Sequence, residues 1–185
     1  MPPTIETARL TLRSPMQDDF ERYFQIVLSQ APVMRWFGSG EPRTREEAEL
    51  TWARFLSPER DPRDRLWAVI ERSSGELIGH AALQRLEKGD LTEVGYALGQ
   101  AYWGMGIATE ASRAVIDFGF ATTDLDMIVG VARQENAVSR RVLEKSGLTF
   151  KGLRRYYGLD VAYYELMRSE YVANSAPQAE SLGTS

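Results

Sequence analysis

Residues 103–110 read Trp103-Gly104-Met105-Gly106-Ile107-Ala108-Thr109-Glu110, and their setting decides the fold. Upstream lies the strand-like run Glu93-Val94-Gly95-Tyr96-Ala97-Leu98. Downstream, Ile107, Ala111, Ala114, Val115 and Phe118 recur at helical spacing, so the stretch is a strand-to-helix turn. Small residues at alternate positions, Gly104, Gly106 and Ala108, let a ligand approach the backbone closely. The helix start behind them aims free N–H groups and a partial positive charge outward. Such a turn suits a pyrophosphate and needs no basic side chain. The plainer alternative is a tight turn whose small residues only aid packing.

Two well-known phosphate loops fit poorly. A P-loop requires Gly-Lys-Ser/Thr, which the chain lacks. A Rossmann fingerprint requires a third glycine at 109, where Thr109 stands, and a place after the first strand of a βαβ unit. Here the loop follows a meander. Residues 8–13 alternate as a half-buried strand, and 18–28 place Phe20, Phe24, Val27 and Leu28 at helical spacing. Thr44-Arg45-Glu46-Glu47 is a capping box opening a second helix with Ala48, Trp52, Phe55 and Leu56 inward. Loop compositions fill 38–42 and 57–65. Strands at 66–71, 77–86 and 92–98 follow, separated by turns at 73–75 and 88–90.

After the helix at 107–118, an apolar run at 127–132 reads as a central strand. The helix at 136–146 has Val138, Val142 and Leu143 inward and Gly147 at its C-cap. Two tyrosine-rich strands, 149–157 and 161–169, flank a turn at 158–160. The expectation is an α+β fold in the order strand, two helices, three strands, helix, strand, helix, two strands, around a mixed sheet. It forms a single domain over residues 1–171, with 172–185 as a disordered tail of small polar residues.

Composition narrows the function. The 185 residues are 43% hydrophobic, enough for one domain's core. With 22 Lys and Arg against 26 Asp and Glu, the formal charge is −4, which offers no general footprint for nucleic acid or anionic lipid. The absence of cysteine excludes disulfides, thiolate metal sites and a cysteine nucleophile. A single histidine, His80, cannot assemble a multi-histidine metal site, so no metal is expected. No leader-like N-terminus and no long apolar run are present, so no membrane partner and a cytoplasmic location are expected.

A strand, Gly-x-Gly-x-Ala, a helix, a strand, and a second helix opened by Asn136-Ala137-Val138-Ser139 and closed by Lys145-Ser146-Gly147-Leu148 together form a recognisable pattern. It resembles the GCN5-related N-acetyltransferase (GNAT) superfamily, and within it the branch of ribosomal-protein-alanine N-acetyltransferase-like proteins. The resemblance spans roughly 6–170 and includes the element order. It implies acetyl-CoA as co-substrate, seated in a wedge where strands 92–98 and 127–132 splay apart. The pantetheine arm would pair with the backbone near Tyr96 and Leu98, and the pyrophosphate would rest on N–H groups of Trp103, Gly104, Met105, Gly106, Ile107 and Ala108, with Thr109 adjoining. Trp103 stands where the superfamily usually has Arg or Gln. Leu143 stands where a general-acid tyrosine often sits.

Individual residues carry paired readings. Glu93 is a charge in an apolar strand: a general base whose pKa burial would raise, or a structural ion pair. Asn136 is a CoA contact, a helix N-cap, or both. Ser139 is a hydrogen-bond donor to the departing thiol or a plain helix serine. His80 reads as a packed core histidine, and the tyrosines at 156, 157, 163 and 164 as half core, half acceptor cleft. Arg140 and Arg141 reach the 3′-phosphate or are only solvated. The expected reaction moves an acetyl group to a primary amine, a protein N-terminus or a small molecule, by direct attack, in a monomer or homodimer. The rivals are a catalytically idle acetyl-CoA sensor and a dinucleotide-dependent oxidoreductase.

Overall fold

Short turns force neighbouring strands to pair antiparallel, and this builds the first half of the sheet. A computed structural model describes residues 2–57 and 64–175. Its strands are β1 (Ile5–Glu6), β2 (Leu10–Arg13), β3 (Arg65–Glu71), β4 (Leu77–Arg85), β5 (Thr92–Leu98), β6 (Met127–Arg133), β7 (Thr149–Tyr156) and β8 (Leu159–Met167). The helices are α1 (Phe20–Tyr23), α2 (Ala31–Met34), α3 (Arg45–Leu56), α4 (Ile107–Thr122), α5 (Ala137–Lys145) and α6 (Arg168–Ser175). The sheet order is β1-β2-β3-β4-β5-β6-β8-β7.

Only β5 and β6 run parallel among these neighbours, and they pair just at Thr92 with Ile128 and Glu93 with Val129. Beyond Glu93 the two strands part. The Gly99 N–H donates to Ile78 O across the Leu98–Gly79 pair, which makes that pair a non-hydrogen-bonded one. The N–H and C=O of Leu98 therefore point away from β4 and into the opening, and by alternation those of Tyr96 do the same.

Both faces of the sheet are covered. On one, Ile107, Ala111, Val115 and Phe120 of α4 pack on Leu83, Val94 and Ile128. On the other, Phe20, Tyr23, Val27, Ala48 and Trp52 pack on Ala68, Ile70 and Ala97. On β8, Tyr164 joins the first of these cores, while Tyr163 on the opposite face is buried in a separate cluster with Leu86 and Val129 and stacks on Tyr156.

The structure departs from the sequence expectation at several places. The helix read over 18–28 is α1 followed by a π-helical turn, Phe24–Leu28, closed by the Ser29 N–H on Phe24 O. That turn seats Ile26 against Gly99, where an added Cβ would meet Ile26 at 3.2 Å. β1 and α2 were not expected, being too short for a periodic signal. Val138, expected inward, is 66% exposed. The last hairpin turns on Tyr157-Gly158 alone, both at positive φ (54° and 72°), because a two-residue turn needs that geometry to match strand twist. Helix α6 continues across the expected tail boundary to Ser175. The rest of the expected tail, and most of the loop at 57–65, lie outside the described residues.

Candidate active site

Glu93 sits where β5 leaves β6, only 4% exposed. Gln84, its cross-strand partner on β4, donates Nε2–H to Glu93 Oε1 at 2.7 Å. The Tyr157 hydroxyl, brought over by the β7–β8 turn, donates to the same oxygen at 2.5 Å. Both donors use Oε1, which leaves Oε2 with its lone pairs for a further donor. Burial pushes the Glu93 carboxyl above the usual carboxylate range; the Tyr157 and Gln84 hydrogen bonds pull it back in part, and the nearby Asp64 charge adds to the rise. A carboxylate moved toward neutrality in this way is a better base.

Tyr96 projects to the opposite face of β5, three positions further on. Its hydroxyl lies 3.0 Å from both the carbonyl oxygen and the Oγ of Ser139 in the first turn of α5. Asn136 Oδ1 accepts the Ser139 N–H at 3.0 Å, so Asn136 is the N-cap of α5. Tyr96, Asn136 and Ser139 are thus brought together. Glu93 belongs to a separate group with Gln84 and Tyr157.

The loop between β5 and α4 is distinguished by its backbone. Gly104 and Gly106 both hold positive φ, 75° and 77°. Gly106 is the N-cap of the 16-residue α4 and has no side chain with which to cap it. The N–H groups of Ile107, Ala108 and Thr109 consequently lack both an intrahelical acceptor and a side-chain cap. The N-termini of α3 and α5 differ, being capped by Thr44 and Asn136. Trp103 and Met105 are exposed, and the Trp103 indole N–H donates to Leu98 O at 2.9 Å. Ile107 is buried, so it offers a ligand only its N–H.

Sequence reasoning missed Gln84, which the register of a hairpin could have paired with Glu93. It also read Tyr157 as a strand residue rather than the turn residue that reaches Glu93. His80 is packed as expected, its Nδ1 2.6 Å from the buried Tyr23 hydroxyl among Trp52 and Phe55. Arg140 hydrogen-bonds Tyr164 Oη at 3.0 Å and Gln134 O at 3.3 Å. No described helix is long and apolar enough to cross a membrane.

The opened parallel pair thus has an uncapped helix start beside it and a buried carboxylate at its apex. Residues 9–149 match the family model of the acetyltransferase (GNAT) domain, and the chain belongs to that family of acetyl-CoA-dependent N-acetyltransferases. An uncharacterised N-acetyltransferase of Bacillus subtilis, YoaA, is 31% identical over 156 residues, covering 84% of this chain and 88% of its own. The fold is shared with AAC(6')-Ib solved with ribostamycin and coenzyme A (TM-score 0.77, 19% identity, 92% of this chain and 99% of that one). It is also shared with RimL, the ribosomal L7/L12 α-N-protein acetyltransferase, solved with coenzyme A (TM-score 0.73, 18% identity, 89% and 98%).

Proposed function

We propose that the chain acetylates an α-amine or another weakly basic amine, with Glu93 as general base and the loop at 103–108 as the pyrophosphate seat. The observation that carries this reading is Glu93 itself: buried at the fork of β5 and β6, its basicity raised, with both internal donors on Oε1 and Oε2 left over. Acetyl-CoA supplies an activated acyl carbon and a thiolate leaving group. The residues fit it in two ways: the Tyr96 and Leu98 backbone groups face the opening, as an extended arm requires, and the first-turn N–H groups of α4 stand ready for an anion.

As the amine nitrogen forms its C–N bond and the C–S bond breaks, Glu93 Oε2 accepts the proton the amine sheds. On the other face of β5, the Ser139 hydroxyl, held by Tyr96, hydrogen-bonds the departing sulfur. Asn136 uses Oδ1 for its cap and keeps its amide N–H groups for the CoA arm. No covalent enzyme intermediate is needed.

Acceptor choice follows from how much neutral amine a modest base must supply. An α-amine with a pKa near 7.7–8.0 is about one-tenth neutral at pH 7, whereas a lysine near 10.4 is neutral in fewer than about one molecule per thousand. RimL is described as acting on a protein α-amine, and AAC(6')-Ib is an aminoglycoside acetyltransferase. The test measures CoA-thiol release with a panel of acceptors: peptides with free N-termini, N-blocked peptides carrying one lysine, and small amines. Turnover concentrated on the free N-termini or the weakly basic amines is expected. Equal turnover of the lysine peptides would overturn the acceptor assignment, and CoA binding without turnover on any amine would favour a sensor.

A further inference from the structure

The glycine loop lies against a residue almost one hundred positions earlier. Arg9, in the turn between β1 and β2, donates Nη1–H to the Met105 carbonyl at 2.8 Å. Its Nε–H donates to Glu110 Oε2 at 2.7 Å, and its backbone N–H to Glu110 Oε1 at 2.9 Å. The Thr7 hydroxyl is the third donor to this carboxylate, reaching Glu110 Oε1 at 2.6 Å. Glu110 stands in the first turn of α4, so one guanidinium spans the loop and the helix it opens. Burial raises the Glu110 carboxyl, but the donors from Thr7 and Arg9 and the Arg9 charge outweigh it and hold the group below its usual value, ionised at neutral pH.

The Met105–Gly106 peptide is planar and trans, as is every described peptide bond, so its C=O and N–H point in opposite directions. With the Met105 oxygen held on the Arg9 side, the Gly106 N–H is turned to the other. A peptide ending in glycine rotates easily, because glycine accepts both signs of φ. Left unheld, this one would present an anion with carbonyl oxygen for part of the time. We infer that Arg9 is a positioning residue for acetyl-CoA: by clamping the Met105 carbonyl to Glu110 it locks the loop peptide with its N–H available to the pyrophosphate. This rests on the loop assignment made above.

Arg9→Gln removes the fork that reaches both partners. A binding-competent loop populated about one-tenth of the time weakens affinity about tenfold. Calorimetry with CoA should show that loss, and KM for acetyl-CoA should rise while kcat at saturation holds. Acetyl-pantetheine reports on the same acyl chemistry without a pyrophosphate, so the ratio of kcat/KM for acetyl-CoA over acetyl-pantetheine should fall by the same factor. Arg9→Lys keeps the charge but cannot bridge both partners, and should recover only part of the ratio. Equal losses on both donors, full recovery by lysine, or unchanged CoA affinity in Arg9→Gln would each overturn the inference. If the parent enzyme itself fails to bind CoA, the loop assignment falls instead.

Discussion

At the Glu93 end of β5 a single carboxylate is taken out of water and given two donors on one oxygen. Past the Leu98 end the chain presents glycines at positive φ and bare helix N–H groups, with no charged side chain among residues 99–109. The first region, on the proposed reading, would act through a side chain whose environment changes its chemistry. The second, on the proposed reading, would act through backbone held at positive φ. The comparison teaches that the two ends should fail separately, one in turnover and the other in affinity.

The largest effect belongs to Glu93→Gln, which keeps shape and hydrogen bonding but removes the base. Turnover should fall by roughly 10²- to 10⁴-fold, the usual range for a general base, while calorimetric CoA affinity stays that of the parent. Stability should move the other way. A carboxyl whose folded pKa lies above its unfolded value contributes most below the unfolded pKa and loses that contribution as pH rises through both. At neutral pH the buried charge therefore opposes folding, and Glu93→Gln should melt higher than the parent. Retained turnover would remove Glu93 from the mechanism.

Gly106→Val attacks the other end. A β-branched residue at a φ of 77° is strained by about 1–3 kcal/mol, and its Cβ would meet the Arg9 guanidinium at 3.5 Å, disturbing the loop from that side. CoA affinity should fall by roughly 10- to 100-fold, with the turnover at saturation less affected. A variant that binds CoA normally would return the loop to a mere packing turn. Ser139→Ala is milder, because a CoA thiolate is already a fair leaving group; the expected cost in turnover is about tenfold.

Tyr157→Phe is the smallest change and the sharpest on mechanism. The Tyr157 hydroxyl lowers the Glu93 pKa, so its removal should move the acidic limb of the kcat profile to higher pH. The profile must be taken with two acceptors of different pKa, since the amine titrates too. A limb that follows the acceptor and ignores residue 157 would assign it to the substrate.

Much of this was legible in the sequence, because strand alternation, helix spacing and the glycine pattern are local signals. The Thr44–Glu47 capping box is found as read, with the Thr44 N–H on Glu47 Oε2 at 2.9 Å. What stayed hidden was either too short to be periodic, as with β1 and α2, or depended on distant chain. The π turn at Phe24–Leu28 changes helical phase without a sequence signal of its own. Val138 has an apolar side chain at a helical position, but Leu143 is the residue that α5 buries. Tyr157 meets Glu93 only because a two-residue turn shortens the last hairpin. The links of Gln84 to Glu93 and of Arg9 to Met105 belong to register and to tertiary approach.

The narrow junction between β5 and β6 also has a dynamic meaning. Two residue pairs are the whole backbone ladder that joins a five-stranded panel to a three-stranded one, so the sheet has a narrow seam, bridged on one face by the core under α4. A ligand arm laid along the exposed strand edges would act as the missing rung between them. Amides of Gly130–Arg133 and Tyr96–Leu98 should therefore gain hydrogen-exchange protection together on CoA binding, although they stand on different panels.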